Sequence, residues 1–163
     1  MVAIRPLTPD DDVQYVALWQ EALVNQSRFF RIALADDPAQ HIPTRFTPDS
    51  LTIGAFHQAR LVGSVSLERD SRIKFAHKAL LFKMFVHPDM AGEGVGRQLM
   101  KEVMQLAANV AELRQIYLTV LASNTRAAGL YESLGFAVFA HEPQAVHIDD
   151  TYVDELQMIY FLR

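Results

Sequence analysis

The feature that most constrains the fold of this chain is an apolar run followed at once by alternating glycines. Residues 79–86 are mostly apolar and have the length of a strand, which Pro88 ends because proline cannot continue a central ladder. Glycine then occupies every other position at Gly92, Gly94 and Gly96, where an amphipathic helical pattern begins. A strand, a glycine loop and a helix present backbone N–H groups and a helix N-terminus to an anion. This order predicts a site for a phosphorylated cofactor.

The spacing of these glycines distinguishes the loop from other glycine motifs. No lysine followed by serine or threonine comes after the last glycine, as a P-loop requires. The spacing is also narrower than in a dinucleotide fingerprint, which lies in a βαβ repeat. A tight turn before a helix is the structural alternative, but three alternating glycines are more than such a turn needs. Phosphate binding is therefore the favoured interpretation.

Composition and charge exclude several classes of function. The formal net charge of −4 over 163 residues gives no general reason to expect nucleic-acid binding. The absence of cysteine excludes disulfides, thiolate zinc sites and a cysteine nucleophile, and the scattered histidines give no reason to expect a metal. No apolar run approaches membrane-spanning length, and the N-terminus has no basic segment followed by an apolar one. We expect a cytoplasmic protein that forms a single domain over residues 1–163, without nucleic-acid or membrane partners.

Hydrophobic periodicity predicts a mixed α+β chain. A first strand at residues 2–5 precedes a helix that starts at Thr8 and Pro9. Two further strands lead through a turn at residues 70–72 to the apolar run described above, as an antiparallel meander. These two strands are predicted at 51–56 and 61–68. The remaining predicted elements are a helix at 95–113, a strand at 115–121, a helix at 124–134, and strands at 136–140 and 155–162.

Two segments have less regular patterns. Between the last two predicted strands we expect a loop that holds His141 and His147. Between residues 25 and 50, Phe29, Phe30 and nearby apolar residues suggest a second helix, whereas the prolines suggest a loop. This aromatic segment either lines a substrate pocket or packs its phenylalanines into the core.

A second motif lies about thirty residues after the glycine loop. The segment 124–136 begins with an asparagine, continues through alanines to a Leu-Tyr pair, and ends on Gly-Phe. Together with residues 86–88 and 91–96, it resembles the two signatures of the GNAT superfamily of N-acetyltransferases. The order of elements also fits from residue 4 to residue 162, so the resemblance covers nearly the whole chain.

The resemblance implies a fold and an activity. The fold is a mostly antiparallel central sheet of six to seven strands, with helices on both faces and two central strands that splay apart to admit the pantetheine arm of CoA. The activity is direct transfer of the acetyl group of acetyl-CoA, without a metal, to a primary amine in a ternary complex, and the lack of cysteine disfavours a ping-pong route. The resemblance does not identify the acceptor, because members of the family use small amines, antibiotics, polyamines and protein N-termini. The alternative is a non-catalytic acyl-CoA-binding regulatory module, and the last strands offer a surface for a homodimer.

The resemblance also implies roles for individual residues. Backbone groups of Met84, Phe85 and Val86 would pair with pantetheine, and an N–H group near Phe85 or Val86 would act as an oxyanion donor. Asn124 would touch the pantetheine or hold the splay. Tyr131 would lie near the thioester sulfur as the general acid, its alternative role being that of a packing aromatic. The N–H groups expected to face the pyrophosphate belong to Gly92, Gly94, Val95, Gly96 and Arg97.

The sequence departs from the family's pattern at three positions. Ala91 stands where the family usually has arginine or glutamine, which implies fewer side-chain contacts to the cofactor. Leu80 and Thr119 stand where some branches carry a catalytic carboxylate. The general base therefore cannot be transferred from the family.

A hairpin offers one candidate for the base. If its turn is centred between Arg72 and Ile73, Glu68 and His77 lie opposite each other on one face of the sheet. The carboxylate would orient the imidazole and raise its basicity, giving a base poised near neutral pH. The alternative is a surface ion pair that stabilises the fold by under about 1 kcal/mol.

Overall fold

One sheet of seven strands forms the centre of the computed structural model, which describes residues 1–162; Arg163, the last residue of the predicted domain, lies outside it. The strands are β1 (Ala3–Pro6), β2 (Ser50–His57), β3 (Arg60–Arg69), β4 (Lys78–Val86), β5 (Gln115–Leu121), β6 (Ala137–Ile148) and β7 (Thr151–Phe161). They lie in the order β1-β2-β3-β4-β5-β7-β6, and every neighbouring pair is antiparallel except β4 and β5. This arrangement confirms the expected mostly antiparallel sheet.

Within residues 1–162, three α-helices cover the two faces of this sheet. They are α1 (Asp12–Asn25), α2 (Val95–Ala108), which ends before the predicted residue 113, and α3 (Thr125–Ser133). Along β3, alternate side chains point to opposite faces. Val65 packs in the core cluster with α2 and α3, whereas Ser64 Oγ accepts a hydrogen bond from Trp19 Nε1 of α1 at 3.0 Å, so helices lie on both faces as expected. None of these helices is long and apolar enough to cross a membrane.

The two central strands, β4 and β5, are paired over one short stretch. Residues 78–80 pair with residues 115–117, and no further pairing joins the two strands in the described chain. Residues 81–86 of β4 and 118–121 of β5 therefore diverge with no ladder between them. This divergence confirms the splayed central strands that the resemblance implies.

A β-bulge lies in β4 where the two strands separate. The β3–β4 register shifts at Val65, which opposes two residues of β4, Lys83 and Met84. Lys83 has φ of +51°, in the left-handed region that residues other than glycine rarely adopt. Because a bulge bends its strand and increases the local twist, it contributes to the divergence of β4 from β5.

The C-terminal part of the chain differs from the sequence prediction. The loop expected around His141 and His147 is wrong, because both residues lie in β6, which forms a hairpin with β7. The turn residues, Asp149 and Asp150, have φ of +48° and +61°, as a type I′ turn requires. Pro143 is tolerated within β6 because this strand lies at the edge of the sheet.

The aromatic segment after α1 is a loop rather than a second helix. Its regular parts are two short 3₁₀ turns, Ser27–Phe29 and Leu34–Asp36. The Ile42 N–H donates to Asp12 Oδ1 at 2.8 Å, and Phe30 packs in the hydrophobic cluster of α1. The loop alternative is therefore correct, and the segment covers the same face of the sheet as α1.

The hydrogen bond between Trp19 and Ser64 gives a first prediction. Both residues are buried, so Ser64→Ala leaves the indole N–H without a partner in the core. We expect the free energy of unfolding to fall by about 1–3 kcal/mol in urea denaturation. Ser71→Ala, at an exposed turn position, is the control and should change it by less than about 0.5 kcal/mol. Equal stability of Ser64→Ala and wild type would show that this bond does not fix the indole.

Candidate functional site

A cavity of about 900 Å³ opens where β4 and β5 separate. The glycine loop and the start of α2 bound one end, and α1 with the loop that follows it bounds the other. The diverging parts of β4 and β5 and one face of α3 form the walls. Every residue that the resemblance assigned to the cofactor lines this cavity.

Two glycines shape the loop at the first end. Gly92 and Gly94 have φ of +81° and +74°, a left-handed conformation that glycine adopts without strain. A Cβ atom on either residue would meet nothing within 4 Å, so the backbone conformation, and not lack of space, requires glycine. Gly94 is the N-cap of α2, whose first N–H groups have no acceptor within the helix. Such a helix start is suited to an anion.

Position 96 requires glycine for a different reason, which is lack of space for a side chain. A Cβ atom at this position would lie 3.2 Å from Met84 Cε and 3.3 Å from Leu130 Cδ2. Glycine therefore allows α2 to pack closely against β4 and α3. This close packing brings the first turn of α2 to the edge of the diverging strands.

Two arginines that line the cavity lie in the first turns of α2 and α3. Arg97 and Arg126 are exposed and line the cavity. Arg97 Nη2 donates to Ser133 Oγ at 2.8 Å, which joins α2 to α3. In residues 1–162, no carboxylate lies within 4 Å of either guanidinium group. Both positive charges can therefore interact with a phosphate.

Asn124 and Tyr131 reach the cavity from α3. Asn124 Oδ1 accepts the N–H of Ala127 at 3.2 Å, so this side chain caps the helix. Tyr131 is buried and packs against Phe136. Its hydroxyl makes no hydrogen bond within residues 1–162, and the oxygen is not completely buried. The hydroxyl therefore opens on the cavity. Burial raises the pKa of Tyr131, so the phenol keeps its proton at physiological pH.

The predicted pairing of Glu68 with His77 is wrong. Glu68 lies opposite Leu80, and its carboxylate forms an ion pair with Arg45 at 3.0 Å. His77 is exposed and precedes β4, and neither Glu68 nor His77 lines the cavity. The turn is longer than expected because residues 73–75 form a 3₁₀ turn, which moves the partner of Glu68 from position 77 to position 80.

His87 caps a turn at the end of β4. Its Nδ1 accepts the N–H of Asp89 at 3.1 Å, and its Nε2 lies 3.1 Å from Glu21 Oε1. Because Nδ1 accepts a hydrogen bond, Nε2 carries the proton of the neutral ring and donates it to the carboxylate. Both ring nitrogens are thus engaged by neighbouring groups of the protein.

Aromatic rings line the second end of the cavity. The ring centroids of Trp19 and Phe30 are 5.2 Å apart, and Phe85 lies 5.7 Å from each of them. Phe29 and Ile32 extend this aromatic wall. The segment after α1 therefore lines the cavity. Lining a pocket was one of the two roles that the sequence left open for this segment. Sequence analysis missed Trp19, because its place on the apolar stripe of α1 marks it only as a core residue.

Lys83 is a charged residue at this end that sequence analysis also missed. Its Nζ donates to Gln40 Oε1 and lies 4.7 Å from the ring centroid of Trp19 and 5.4 Å from that of Tyr15. No carboxylate of residues 1–162 lies within 4 Å of it. Burial lowers the pKa of Lys83 to about 8, with an opposing effect from the charge of Asp37. The signal in the sequence was a lone lysine within an apolar strand.

An ion pair borders the second end of the cavity on the β7 side. The guanidinium of Arg31 donates two hydrogen bonds to the carboxylate of Glu155, a buried residue of β7. Arg31 belongs to the loop after α1 and lines the cavity, so the pair ties this loop to β7. The charge of Arg31 is thereby matched, in contrast to that of Lys83.

Comparison with known proteins identifies relatives in sequence. The model of the acetyltransferase (GNAT) family matches residues 14–136. A spermidine N(1)-acetyltransferase from Vibrio cholerae is 30% identical over 106 residues, which cover 65% of this chain and 59% of that protein. The match thus spans about three-fifths of the length of this curated relative.

Solved structures share the fold. An acetyltransferase of the GNAT family from Streptococcus pneumoniae has a TM-score of 0.86 at 21% identity, covering 99% of this chain and 100% of that chain. The yncA protein of Salmonella typhimurium, solved with its cofactor acetyl-CoA, has a TM-score of 0.83 at 19% identity, covering 100% of this chain and 95% of that chain. At these identities the likeness establishes the fold.

The unmatched charge of Lys83 gives a prediction on stability. Its pKa of about 8 in the folded chain lies below the ordinary value of 10.5, so folding disfavours the protonated form. Stability should therefore rise with pH between these two values, because there the unfolded chain binds the proton and the folded chain does not. Below about pH 8 the full cost of the charge is present.

Lys83→Met removes this cost. It also leaves Oε1 of the buried Gln40 without its donor, which opposes the gain. We therefore expect the Tm of Lys83→Met relative to wild type to be most favourable at pH 7 and to fall as the pH approaches 10, which thermal unfolding followed by circular dichroism measures. Lys101→Met, on the exposed side of α2, is the control and should leave the Tm unchanged at both pH values. A difference in Tm between Lys83→Met and wild type that does not fall between pH 7 and pH 10 would show that the charge of Lys83 does not cost stability.

Proposed function

This chain belongs to the acetyltransferase (GNAT) family, and we propose that it is an N-acetyltransferase that transfers the acetyl group of acetyl-CoA directly to a primary amine. The observation that carries the proposal is the cavity between β4 and β5, where an anion-binding helix start, open strand edges and the Tyr131 hydroxyl come together. The activity named for the spermidine N(1)-acetyltransferase relative supports an amine as the acceptor.

The residues of the cavity fit the chemical parts of acetyl-CoA. The N–H groups at the start of α2, together with Arg97 and Arg126, suit the charge of a pyrophosphate. The open edges of residues 81–86 and 118–121 offer backbone donors and acceptors to an arm that contains amides. Acetyl-CoA supplies the activated acyl thioester when it is bound. We therefore assign the pyrophosphate to the glycine loop and pantetheine to the strand edges, residues 84–86 included.

The backbone of β4 offers a donor for the reacting carbonyl. The bulge at Lys83 and Met84 interrupts the regular ladder, and Phe85 and Val86 follow it in the cavity wall. We assign the oxyanion donor to an N–H group near Phe85 or Val86. Because the sheet holds this group in position beforehand, it reorganises little as negative charge develops on the oxygen.

Tyr131 is assigned to the departing thiolate. Its hydroxyl opens on the cavity and keeps its proton, since burial raises its pKa. A thiol has an ordinary pKa of about 8.5 and a phenol one of about 10. Hydrogen bonding from the phenol to the thiolate therefore contributes alongside any proton transfer.

The proton of the attacking amine needs a different acceptor. An alkyl ammonium group has a pKa near 10.4, so the amine must lose a proton before it attacks. Glu68 and His77 lie apart and outside the cavity lining, and both nitrogens of His87 are engaged. Leu80 and Thr119 line the cavity but carry no basic group. We therefore assign proton removal to water in the open cavity.

Location and assembly extend this proposal. We propose a cytoplasmic protein whose last hairpin forms the contact of a homodimer. Exposed apolar side chains on that hairpin, Val138, Phe139 and Tyr152, support the surface assigned to the contact. Sedimentation velocity of the purified chain measures the oligomeric state.

A panel of amines tests the proposed function. The purified chain is incubated with acetyl-CoA and small amines, polyamines, amino acids or peptides, and released CoA is followed with a thiol reagent. Because the chain contains no cysteine, the reagent detects only the released thiol. Acceptor-dependent release, with one acetyl group added to the amine by mass spectrometry, supports transfer. Tight acetyl-CoA binding without turnover on any amine would favour the regulatory module.

Gly94→Val tests the assignment of the pyrophosphate. The substitution puts a β-branched side chain at φ of +74° and displaces the N-cap of α2, so its N–H groups no longer converge on the anion. We expect calorimetric titration to show at least tenfold weaker acetyl-CoA binding, about 1.4 kcal/mol. Gly129→Val, on an open face of α3, introduces the same side chain away from the cavity and should bind normally. Unchanged acetyl-CoA affinity in a folded Gly94→Val protein would show that the pyrophosphate does not bind at this loop.

Tyr131→Phe tests the role of the phenol. The change keeps the ring and removes the hydroxyl, so kcat should fall by about 10²–10⁴ while acetyl-CoA affinity changes little. Tyr160→Phe removes a hydroxyl from the same side of the sheet but outside the cavity lining, and should keep full activity. If kcat of Tyr131→Phe equals that of wild type when chemistry limits the rate, Tyr131 is a packing residue.

A further inference from the structure

We propose that the acceptor is a small amine that also carries a carboxylate, and that Lys83 binds this carboxylate. The inference rests on the proposed acetyl transfer and adds the chemical class of the acceptor. It follows from the charges around the cavity, the unused donors of Lys83 and the aromatic wall beside them.

The charged side chains that line the cavity are basic. Arg31, Lys83, Arg97 and Arg126 line it, and no aspartate or glutamate among residues 1–162 does. A polyamine would bring two or more positive charges into this cavity without a carboxylate to receive them. Because charges interact more strongly where water is excluded, the cavity disfavours a polycation and favours a ligand with a negative group.

The four basic residues differ in their surroundings. Arg97 follows the glycine loop in the first turn of α2, Arg126 lies in the first turn of α3, and the proposed function assigns both to phosphate. The charge of Arg31 is matched by Glu155 through two hydrogen bonds. Lys83 is left as the cation at the acceptor end that has no ion pair in the described chain.

Lys83 is held in place with donors to spare. One N–H group bonds to the buried Gln40, and the ammonium lies over the rings of Trp19 and Tyr15. An ammonium has three donors, so two remain for a ligand. Asp37 acts on Lys83 at longer range but forms no ion pair within the described residues. A partly buried cation costs stability unless a counter-charge offsets its lost hydration, and an acceptor carboxylate would supply that charge.

Lys83 also stands next to the proposed reacting centre. It belongs to the β4 bulge and lies two residues before Phe85, near which the proposed function assigns the oxyanion donor for the acyl group. A carboxylate bound at Lys83 would hold an amine a few bonds away close to that group. The rings of Trp19, Phe30 and Phe85 form an apolar wall on the same side. The geometry thus fits an amino carboxylate with an apolar body, such as an apolar amino acid.

Matched acceptors test the preference for charge. Initial rates of CoA release are compared for L-phenylalanine, L-phenylalaninamide, phenethylamine and spermidine. We expect kcat/KM for L-phenylalanine to exceed the other three values at least tenfold. The amide has the less basic amine and presents more neutral nucleophile, so a preference for the acid cannot arise from amine ionisation. A higher kcat/KM for spermidine would overturn the inference and leave the proposed function standing.

Lys83→Met tests the carboxylate anchor. The ratio of kcat/KM for the acid to that for the amide should fall at least tenfold, mainly through a higher KM for the acid. Lys83→Arg keeps the charge and should retain most of the preference, and the exposed control Lys101→Met should match wild type. An equal loss for both acceptors in Lys83→Met, with the ratio preserved, would show that Lys83 does not bind the carboxylate.

A binding measurement separates this inference from the proposed function. If no amine is acetylated, the proposed function fails. Calorimetric titration of N-acetyl-L-phenylalanine and of its amide into the protein with CoA present then decides the ligand class. Tighter binding of the acid, lost in Lys83→Met, supports the carboxylate site. Equal binding of the two compounds, or no binding of either, overturns it.

Discussion

The structure depends on the point at which the ladder between β4 and β5 stops. Nearly all backbone donors and acceptors inside a folded protein are paired, yet within residues 1–162 this central pair of strands is joined only over residues 78–80 of β4 and then opens. The bulge at Lys83 and Met84 bends β4, and the packing of Gly96 brings α2 to the opening. The glycine loop and the aromatic wall thus both border the opening where this ladder is interrupted.

The same bulge contains Lys83, a charged residue in an otherwise apolar central strand. Lys83 combines a left-handed backbone conformation with a partly buried ammonium, and each of these features costs stability. Residues whose conformation or burial costs stability are concentrated at functional sites. The proposed carboxylate of the acceptor gives this residue its missing counter-charge, whereas the neighbouring Arg31 already has one in Glu155.

Local backbone chemistry made much of the fold and the glycine-loop end of the cavity predictable. The glycines of the loop and the asparagine that begins the second motif are single residues at fixed spacing, so the sequence alone located both features. Strand register is different, because the partner of Glu68 depends on the length of a turn, and a short 3₁₀ turn removed His77 from the pair. The direction of the Lys83 side chain depends on a bulge. The bulge arises from the pairing of β3 with β4, which no local sequence pattern predicts.

Hydrogen–deuterium exchange with and without saturating acetyl-CoA tests the central claim most directly. The claim is that the ligand completes the interrupted ladder and caps α2. It predicts slower exchange in peptides that cover residues 81–86, 92–97 and 118–121, with little change in the β6–β7 hairpin. Unchanged exchange in these three segments at saturation, or protection confined to other parts of the chain, would contradict the account.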